Sequence, residues 1–202
     1  MTVLDHLVYA VPDLEAGVAA FTRLTGVAPV KGGAHPGGTA NYLVGLGSGA
    51  YLEIIGPDPE QDERPRAFGL ETLAEPRLAG WAVRTTEIDD LVARARAAGY
   101  DPGEVSPLSR RKPDGTLLEW RLTRIDNPEA VRLAPFVIDW GATTHPSEGL
   151  PQLELVALSG THPEPAKIEA ALHALGAKLD VAAGEPALEA ALHTPNGLVT
   201  LR

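Results

Sequence analysis

Cysteine is absent from the 202 residues of this chain. Its absence excludes disulfide bonds, thiolate metal sites and a cysteine nucleophile. Basic residues are few, since 17 Lys and Arg against 27 Asp and Glu leave a net charge of −10. That balance argues against a nucleic-acid or anionic-membrane binder, because such proteins need a basic face. No apolar run approaches the ~20 residues of a membrane span, and residues 1–15 lack the basic start of a signal peptide. We therefore expect a cytoplasmic, globular protein.

Several motifs of well-known active sites are also missing. The glycine-rich stretch 45–49 (GLGSG) lies between two predicted strands and precedes no helix, so it is no dinucleotide fingerprint. The sequence contains no P-loop, no HExxH pair and no nucleophile elbow. These absences exclude the common nucleotide-binding, zinc-protease and serine-hydrolase sites.

A predicted strand, helix and stop glycine occur three times along the chain. Further strands follow each helix, so each repeat reads as a βαβββ module. Coincidence is the alternative, since such sequences arise in many α/β chains. Because helix and strand segregate, the pattern favours an α+β fold over a doubly wound parallel sheet. We predict a first module at 1–56, a linker at 57–77, a second module at 78–141 and a third βαβββ-like module at 150–202.

Tandem βαβββ modules that open with residues 4–14 (LDHLVYAVPDL) resemble the vicinal oxygen chelate superfamily, which includes glyoxalase I, extradiol dioxygenases and bleomycin-resistance proteins. Residues 32–43 (GGAHPGGTANYL) and 51–55 (YLEII) are similar to its glyoxalase-like domain family. Residues 111–121 and 136–147 extend that resemblance. It implies a curled, mostly antiparallel sheet around a ligand cavity. It also implies a divalent metal held by up to four side chains, from the first and fourth strands of two modules.

The resemblance places His6 and Glu53 at the first two metal-ligand positions. Aligning the second module with the first puts Gly80 at the third position and Asp139 at the fourth. Because glycine has no side chain, a third ligand would have to come from Asp139, His35 or His145. Zn, Fe, Mn or Ni would suit such a site. A metal-free pair of His6 and Glu53 is the alternative.

Strand alternation gives His6 a direction. Leu7, Tyr9 and Val11 share one face of the first strand, and their bulk predicts packing against the helices. His6 then faces the cavity, although a histidine simply hydrogen-bonded within a sheet would fit the same pattern. Glu53 lies between apolar neighbours and needs a partner, because burial of an unpaired charge is costly. We predict that His6 and Glu53 project into one cavity, where either could act as a general base.

Other polar and aromatic residues are candidates for substrate binding. Arginine recognises carboxylates and phosphates, and tryptophan lines apolar pockets, so a small carbonyl-bearing or anionic ligand is expected. Each candidate also has an ordinary interpretation as a turn histidine, a solvated loop or a core aromatic residue. The candidates are His35, Asn41, Arg111, Trp120, Arg121 and Trp140.

Three functions remain open at this level. One is a metal-assisted enzyme of the lyase, isomerase or dioxygenase type. The second is a metal-free enzyme that uses Glu53 or His6 as a base, and the third is a non-catalytic binding protein of the same fold.

The odd number of modules predicts a homodimer, because the third sheet would lack an intramolecular mate. The alternative is that the third module packs on the first two. The apolar positions concerned are Leu153, Leu155, Leu188, Ala190, Leu192, Leu198 and Leu201.

Overall fold

The computed structural model describes residues 2–63, 65–124 and 131–202. The first group of elements is β1 (Val3–Ala10), α1 (Leu14–Thr25), β2 (Val30–His35), β3 (Thr39–Gly47) and β4 (Ala50–Pro57). The second is β5 (Arg77–Arg84), α2 (Ile88–Ala97), β6 (Glu104–Arg111), β7 (Leu117–Arg124) and β8 (Phe136–Asp139). The third is β9 (Glu154–His162), α3 (Pro165–Leu175), β10 (Asp180–Ala183), β11 (Ala187–Thr194) and β12 (Gly197–Leu201). Residue 64 of the predicted linker and residues 125–130 of the predicted second module lie outside the described residues.

Local signals explain where α1 begins and ends. The Asp13 side chain caps the helix by accepting a hydrogen bond of 2.9 Å from the backbone N–H of Ala16. Gly26 ends it with φ of 76°, a left-handed conformation that favours glycine. Leu14 and Phe21 form its buried face. None of the helices in the described ranges is long and apolar enough to cross a membrane.

The first two groups of strands form one eight-stranded sheet in the order β2-β3-β4-β1-β5-β8-β7-β6. It is mostly antiparallel, with parallel pairing of β1 with β4 and of β5 with β8. The edge strands β2 and β6 meet, because the Arg110 guanidinium donates a hydrogen bond to the Gly32 carbonyl. The sheet therefore curls until it is nearly closed, which confirms the predicted α+β fold class.

An approximate two-fold relation links the two halves of this sheet. Where β1 runs antiparallel to β5, Val8 pairs with Gly80 and His6 pairs with Ala82. Exchanging the halves maps His6 onto Gly80 and Val8 onto Ala82. Gly80 is thus the counterpart of His6, as the sequence alignment predicted.

The two faces of the curled sheet have different surroundings. Leu7 and Val11 are fully buried in a core that also holds Phe21 of α1 and Val92 of α2. From His6 onward, the predicted alternation of β1 is therefore confirmed. The opposite face, which carries His6, encloses the cavity.

The third module has the predicted order of elements but a different sheet. Its strands are arranged β10-β9-β11-β12, with β9 parallel to β10 and antiparallel to β11. In the first two modules the opening strand lies at the end of its group of four, next to the fourth strand. Here α3 serves as a crossover that returns β10 alongside β9. The third module therefore shares the order of elements of the first two modules but not the pairing of their strands.

The apolar face of the third sheet is covered within the chain. Leu188, Ala190 and Leu192 are fully buried in the core that contains Leu7. Backbone hydrogen bonds of 2.8 Å tie the Leu78 N–H to the carbonyl of Arg202, and the Leu153 N–H to the carbonyl of Gly45. The homodimer prediction rested on a third sheet with an uncovered apolar face, and that face is covered by the same chain.

One residue of that face was assigned to the wrong side. Leu198 was expected to be buried, but it is 64% exposed. Alternation along β12 turns Val199 and Leu201 inward instead.

Candidate functional site

A cavity of about 1240 Å³ lies inside the curled sheet. Its polar lining includes His6, His35, Asn41 and Glu53. Its apolar lining includes Ile55, Phe68, Leu108, Trp120, Phe136 and Trp140. The structure thus brings His6 and Glu53 into one cavity together with four of the residues proposed to bind substrate.

Asp5, a residue that the sequence analysis did not single out, holds His6 in place. A register shift between Leu4 and His6 interrupts the pairing of β1 with β5. The fully buried Asp5 carboxylate accepts a hydrogen bond of 2.6 Å from His6 Nδ1. It also accepts from Trp140 Nε1 at 3.1 Å and from His145 Nε2 at 2.9 Å.

These partners decide the ionisation of Asp5. Burial by itself would raise the pKa of Asp5, but the hydrogen bonds from His145 and His6 outweigh it and hold the pKa well below its usual range. The carboxylate therefore keeps a proton on Nδ1 of His6 and turns Nε2 of the ring toward Glu53.

Glu53 lies between two imidazole rings without a direct hydrogen bond to either. Its Oε2 is 3.7 Å from His6 Nε2, and its Oε1 is 3.8 Å from His35 Nε2. Asn41 Nδ2 donates to Oε1 at 2.6 Å. The amide therefore fixes the carboxylate while Oε2 remains open to a ligand.

His35 is a neutral neighbour of this carboxylate. Burial lowers the pKa of His35, against the opposing effect of Glu53. Its Nδ1 lies 3.0 Å from the Thr39 hydroxyl, and its Nε2 lies 3.3 Å from Asn41 Nδ2. This pattern fits a proton on Nδ1 and an acceptor at Nε2.

Tyr51 and Phe136 hold the His6 ring on its other sides. Tyr51 stacks on it at 4.8 Å between centroids, and Phe136 meets it edge-on at 5.3 Å. Burial raises the pKa of Tyr51 well above its usual value. Its phenol is therefore protonated at neutral pH.

The second half of the sheet does not supply the metal ligands that the resemblance implied. Val8 pairs with Glu53, and its counterpart Ala82 pairs with Phe136. The counterpart of Glu53 is therefore Phe136, and the assignment of Asp139 to that position is wrong. Together with Gly80, this leaves two of the four positions without a donor.

The three proposed third ligands lie in different surroundings. Asp139 accepts a hydrogen bond of 2.9 Å from the Gly141 N–H. His145 bonds Asp5 on the side of His6 away from Glu53, and His35 lies near Glu53. Over residues 2–63, 65–124 and 131–202, no group of three or more His, Asp or Glu side chains has the geometry to hold a metal. The donor set thus does not fit the family's metal site.

The arginines differ from the sequence expectation. Arg111 is exposed and donates to the Gly115 carbonyl at 3.0 Å. Arg121 forms a two-pronged pair with Asp89 of α2 on the outer face. The inward residue of the basic cluster is Arg110. Alternation explains this outcome, because on β7 Trp120 faces in and Arg121 must therefore face out.

A nearly closed sheet of two pseudo-symmetric βαβββ modules, with a polar cluster inside, defines a cavity protein of the vicinal oxygen chelate type. The sequence profile of the glyoxalase-like domain family matches residues 4–176. The chain belongs to that family. No curated protein matches it significantly.

Among solved structures, one of an uncharacterised protein has the same fold. A hypothetical protein from Staphylococcus aureus superposes with a TM-score of 0.65 at 15% identity, covering 99% of this chain and 84% of that one. A methylmalonyl-CoA epimerase variant from Streptomyces coelicolor aligns at 0.47 and 20% identity, over 72% of this chain and 99% of that one. The Mycobacterium tuberculosis epimerase aligns at 0.41 and 18% identity, over 70% and 88%.

Proposed function

We propose that this protein binds a small carbonyl-bearing or anionic molecule in its cavity and acts on it by proton transfer, with Glu53 as the base. The observation that carries this proposal is the chain of contacts from Asn41 through Glu53 and His6 to Asp5. A fixed carboxylate with one open oxygen is the feature that a general base requires.

The chemistry follows from the gap between Glu53 and His6. The distance of 3.7 Å between Glu53 Oε2 and His6 Nε2 is too long for a direct hydrogen bond. A ligand atom next to both side chains could contact the two groups at once. Glu53 Oε2 would take a proton from a carbon next to a carbonyl group. The electron pair of the broken C–H bond would move onto the carbonyl oxygen. After Glu53 has exchanged its proton with water, return of a proton to the same carbon, with the electron pair moving back, would complete the exchange of that hydrogen with solvent.

The remaining groups of the cluster position the base and the ligand. Asp5 and Tyr51 hold the His6 ring, so that Nε2 faces the reacting atoms. Asn41 anchors Oε1 of Glu53 and thereby aims Oε2.

Non-catalytic binding is the second candidate function. The apolar part of the cavity favours this function. Phe136, the counterpart of Glu53 in the second half of the sheet, cannot act as an acid or a base. A protein that sequesters a ligand needs the cavity but no base.

Hydrogen–deuterium exchange separates the two candidates. Small oxo-acids and ketones would be incubated with the protein in D₂O and followed by proton NMR. We expect exchange next to the carbonyl, reduced by about 10²–10⁴-fold in Glu53→Gln. Exposed Glu119 supplies the control variant Glu119→Gln, which should match the wild type.

Each other result points elsewhere. Ligand binding without exchange would support the non-catalytic function. Unchanged exchange in Glu53→Gln would remove Glu53 from the mechanism. Loss of exchange on chelation, with recovery on adding Zn, Fe, Mn or Ni, would show metal-dependent chemistry instead.

A further inference from the structure

We propose that Arg110 is an anchor for a carboxylate group of the ligand, deep in the cavity. This inference rests on the proposed function for its site but names the chemical class of the ligand. It also replaces Arg111 and Arg121, the arginines that the sequence suggested for this task.

Within the described ranges, Arg110 is a buried cation without a carboxylate partner. Its residue is 5% exposed and lines the cavity. Its side chain makes one hydrogen bond within the described ranges, from Nη1 to the Gly32 carbonyl, and no Asp or Glu oxygen there lies within 4.0 Å. Burial lowers the pKa of Arg110. Because the ordinary pKa of arginine is very high, the guanidinium still stays charged at neutral pH. An unpaired buried charge is costly, which makes a bound anion the natural partner.

The nearby carboxylate is already engaged. Glu53 points Oε1 at Asn41 and Oε2 toward His6. No nitrogen of Arg110 is among the fully buried polar atoms that lack a partner. Its remaining N–H groups are therefore open to the cavity. Separated positive and negative groups would orient a ligand with its anion on Arg110 and its acidic C–H near Glu53.

The charge of the cavity wall agrees with an anionic ligand. Among the described residues, five arginines and three glutamates line the cavity. The whole chain, in contrast, carries a net charge of −10. A cavity enriched in cations within an acidic protein attracts an anion by its field.

A carboxylate fits this site better than a phosphate. A guanidinium offers two parallel N–H groups that match the two oxygens of a carboxylate. A phosphate dianion calls for further cations or a nest of backbone N–H groups. The other lining arginines include Arg66, whose side chain is 90% exposed, and Arg77, which donates to the Phe68 carbonyl. Leu108 and Trp120 line the same cavity and suit an apolar ligand body.

The test is a binding panel of short-chain monocarboxylates, each paired with its primary amide and with the corresponding alkyl phosphate. In the wild-type protein we expect carboxylates to bind at least about tenfold more tightly than amides. The Arg110 Nε–H resonance should shift during the carboxylate titration. Arg110→Gln should reduce carboxylate affinity to that of the amide, while Arg111→Gln, its outward neighbour, should leave it unchanged.

Equal binding of carboxylates and amides, tighter binding of phosphates, or an unmoved Arg110 resonance would each overturn the proposal. These three measurements use the wild-type chain, so they decide the matter even where Arg110→Gln fails to fold. Carboxylate binding in the absence of C–H exchange would refute the proton transfer and leave the anchor standing. C–H exchange without any preference for carboxylates would refute the Arg110 anchor and leave the proton transfer standing.

Discussion

Asp5 Oδ1 lies 2.6 Å from Nδ1 of His6, although the two residues are consecutive on one strand. Consecutive strand residues ordinarily point to opposite faces of a sheet. The register shift between Leu4 and His6 coincides with this exception. A buried carboxylate is thereby placed directly behind the imidazole that faces the cavity.

The first prediction concerns the ionised state of Asp5. Its pKa in the folded protein lies below the ordinary value of about 3.9. Its stabilising contribution is therefore full above about pH 4, and it is lost as the pH falls toward the folded-state pKa. Asp5→Asn should lower the free energy of unfolding by about 3–5 kcal/mol near neutral pH. It should also flatten the dependence of stability on pH below about 4.

Urea unfolding across a pH series measures both effects. Asp89→Asn is the matched control, because Asp89 is an exposed carboxylate paired with Arg121. Equal effects of the two substitutions would mean that burial and the two imidazoles add nothing to the role of Asp5.

The second prediction restores the missing half of the metal site. Gly80 and Phe136 are the counterparts of His6 and Glu53, so Gly80→His with Phe136→Glu should complete a four-ligand set. The position of Gly80 admits a side chain, because an added Cβ would lie 3.5 Å from its nearest neighbour, Arg132 Cβ. We expect the double variant to bind Co²⁺ at least about tenfold more tightly than the wild type.

Cobalt absorption spectra and calorimetry follow that binding. Glu53→Gln added to the double variant should weaken it again. Equal Co²⁺ affinity in the wild type and the double variant would mean that positions 80 and 136 do not correspond to those of His6 and Glu53.

Much of this site could be predicted from the sequence, and the failures have identifiable causes. Alternation on β1 correctly predicted that His6 faces the cavity, because Leu7 and Val11 pack against the helices on the opposite face. The same rule applied to β7 would have excluded Arg121, since Trp120 and Arg121 are neighbours and cannot both face inward. Alternation on β6 likewise separates Arg110 from Arg111.

Other features depend on pairing between distant strands. Phe136, not Asp139, opposes Ala82 across β5 and β8, and no local pattern sets that register. The role of Asp5 depends on contacts with Trp140 and His145, far along the chain. The third sheet depends on a parallel pairing of β9 with β10 that the order of its elements left open.

The third prediction tests the partner of Glu53. Asn41→Asp would put a second carboxyl group within hydrogen-bond distance of Glu53 Oε1. Two carboxylates that close cannot both ionise easily, so the pair should hold one proton in the folded protein. A pKa raised by folding gives stability that is present at low pH and lost as the pH rises through the raised value.

Asn41→Asp should therefore lose stability relative to the wild type between about pH 4 and pH 8, with the loss growing as the pH rises. Thermal unfolding across that range measures it. Glu119→Gln serves as a charge control on the outer face of β7. A loss that does not vary with pH would indicate that Asn41 and Glu53 are not in contact.

The last prediction tests how the third sheet packs on the second module. A Cβ added to Gly160 of β9 would lie 2.6 Å from Leu133 Cδ2 and 3.1 Å from the Ala187 carbonyl oxygen. Gly160→Ala should therefore cost about 1–3 kcal/mol of the free energy of unfolding, whereas Gly80→Ala, with its open surroundings, should cost less. Leu133→Ala alone should cost about 2–5 kcal/mol, because it empties a fully buried site.

The double variant Gly160→Ala/Leu133→Ala should lose less stability than the sum of the two single losses, because the shortened side chain makes room for the new methyl group. Chemical denaturation of the four variants measures the coupling. Strict additivity would show that Gly160 and Leu133 do not touch, and with it that the third sheet does not pack there on the second module.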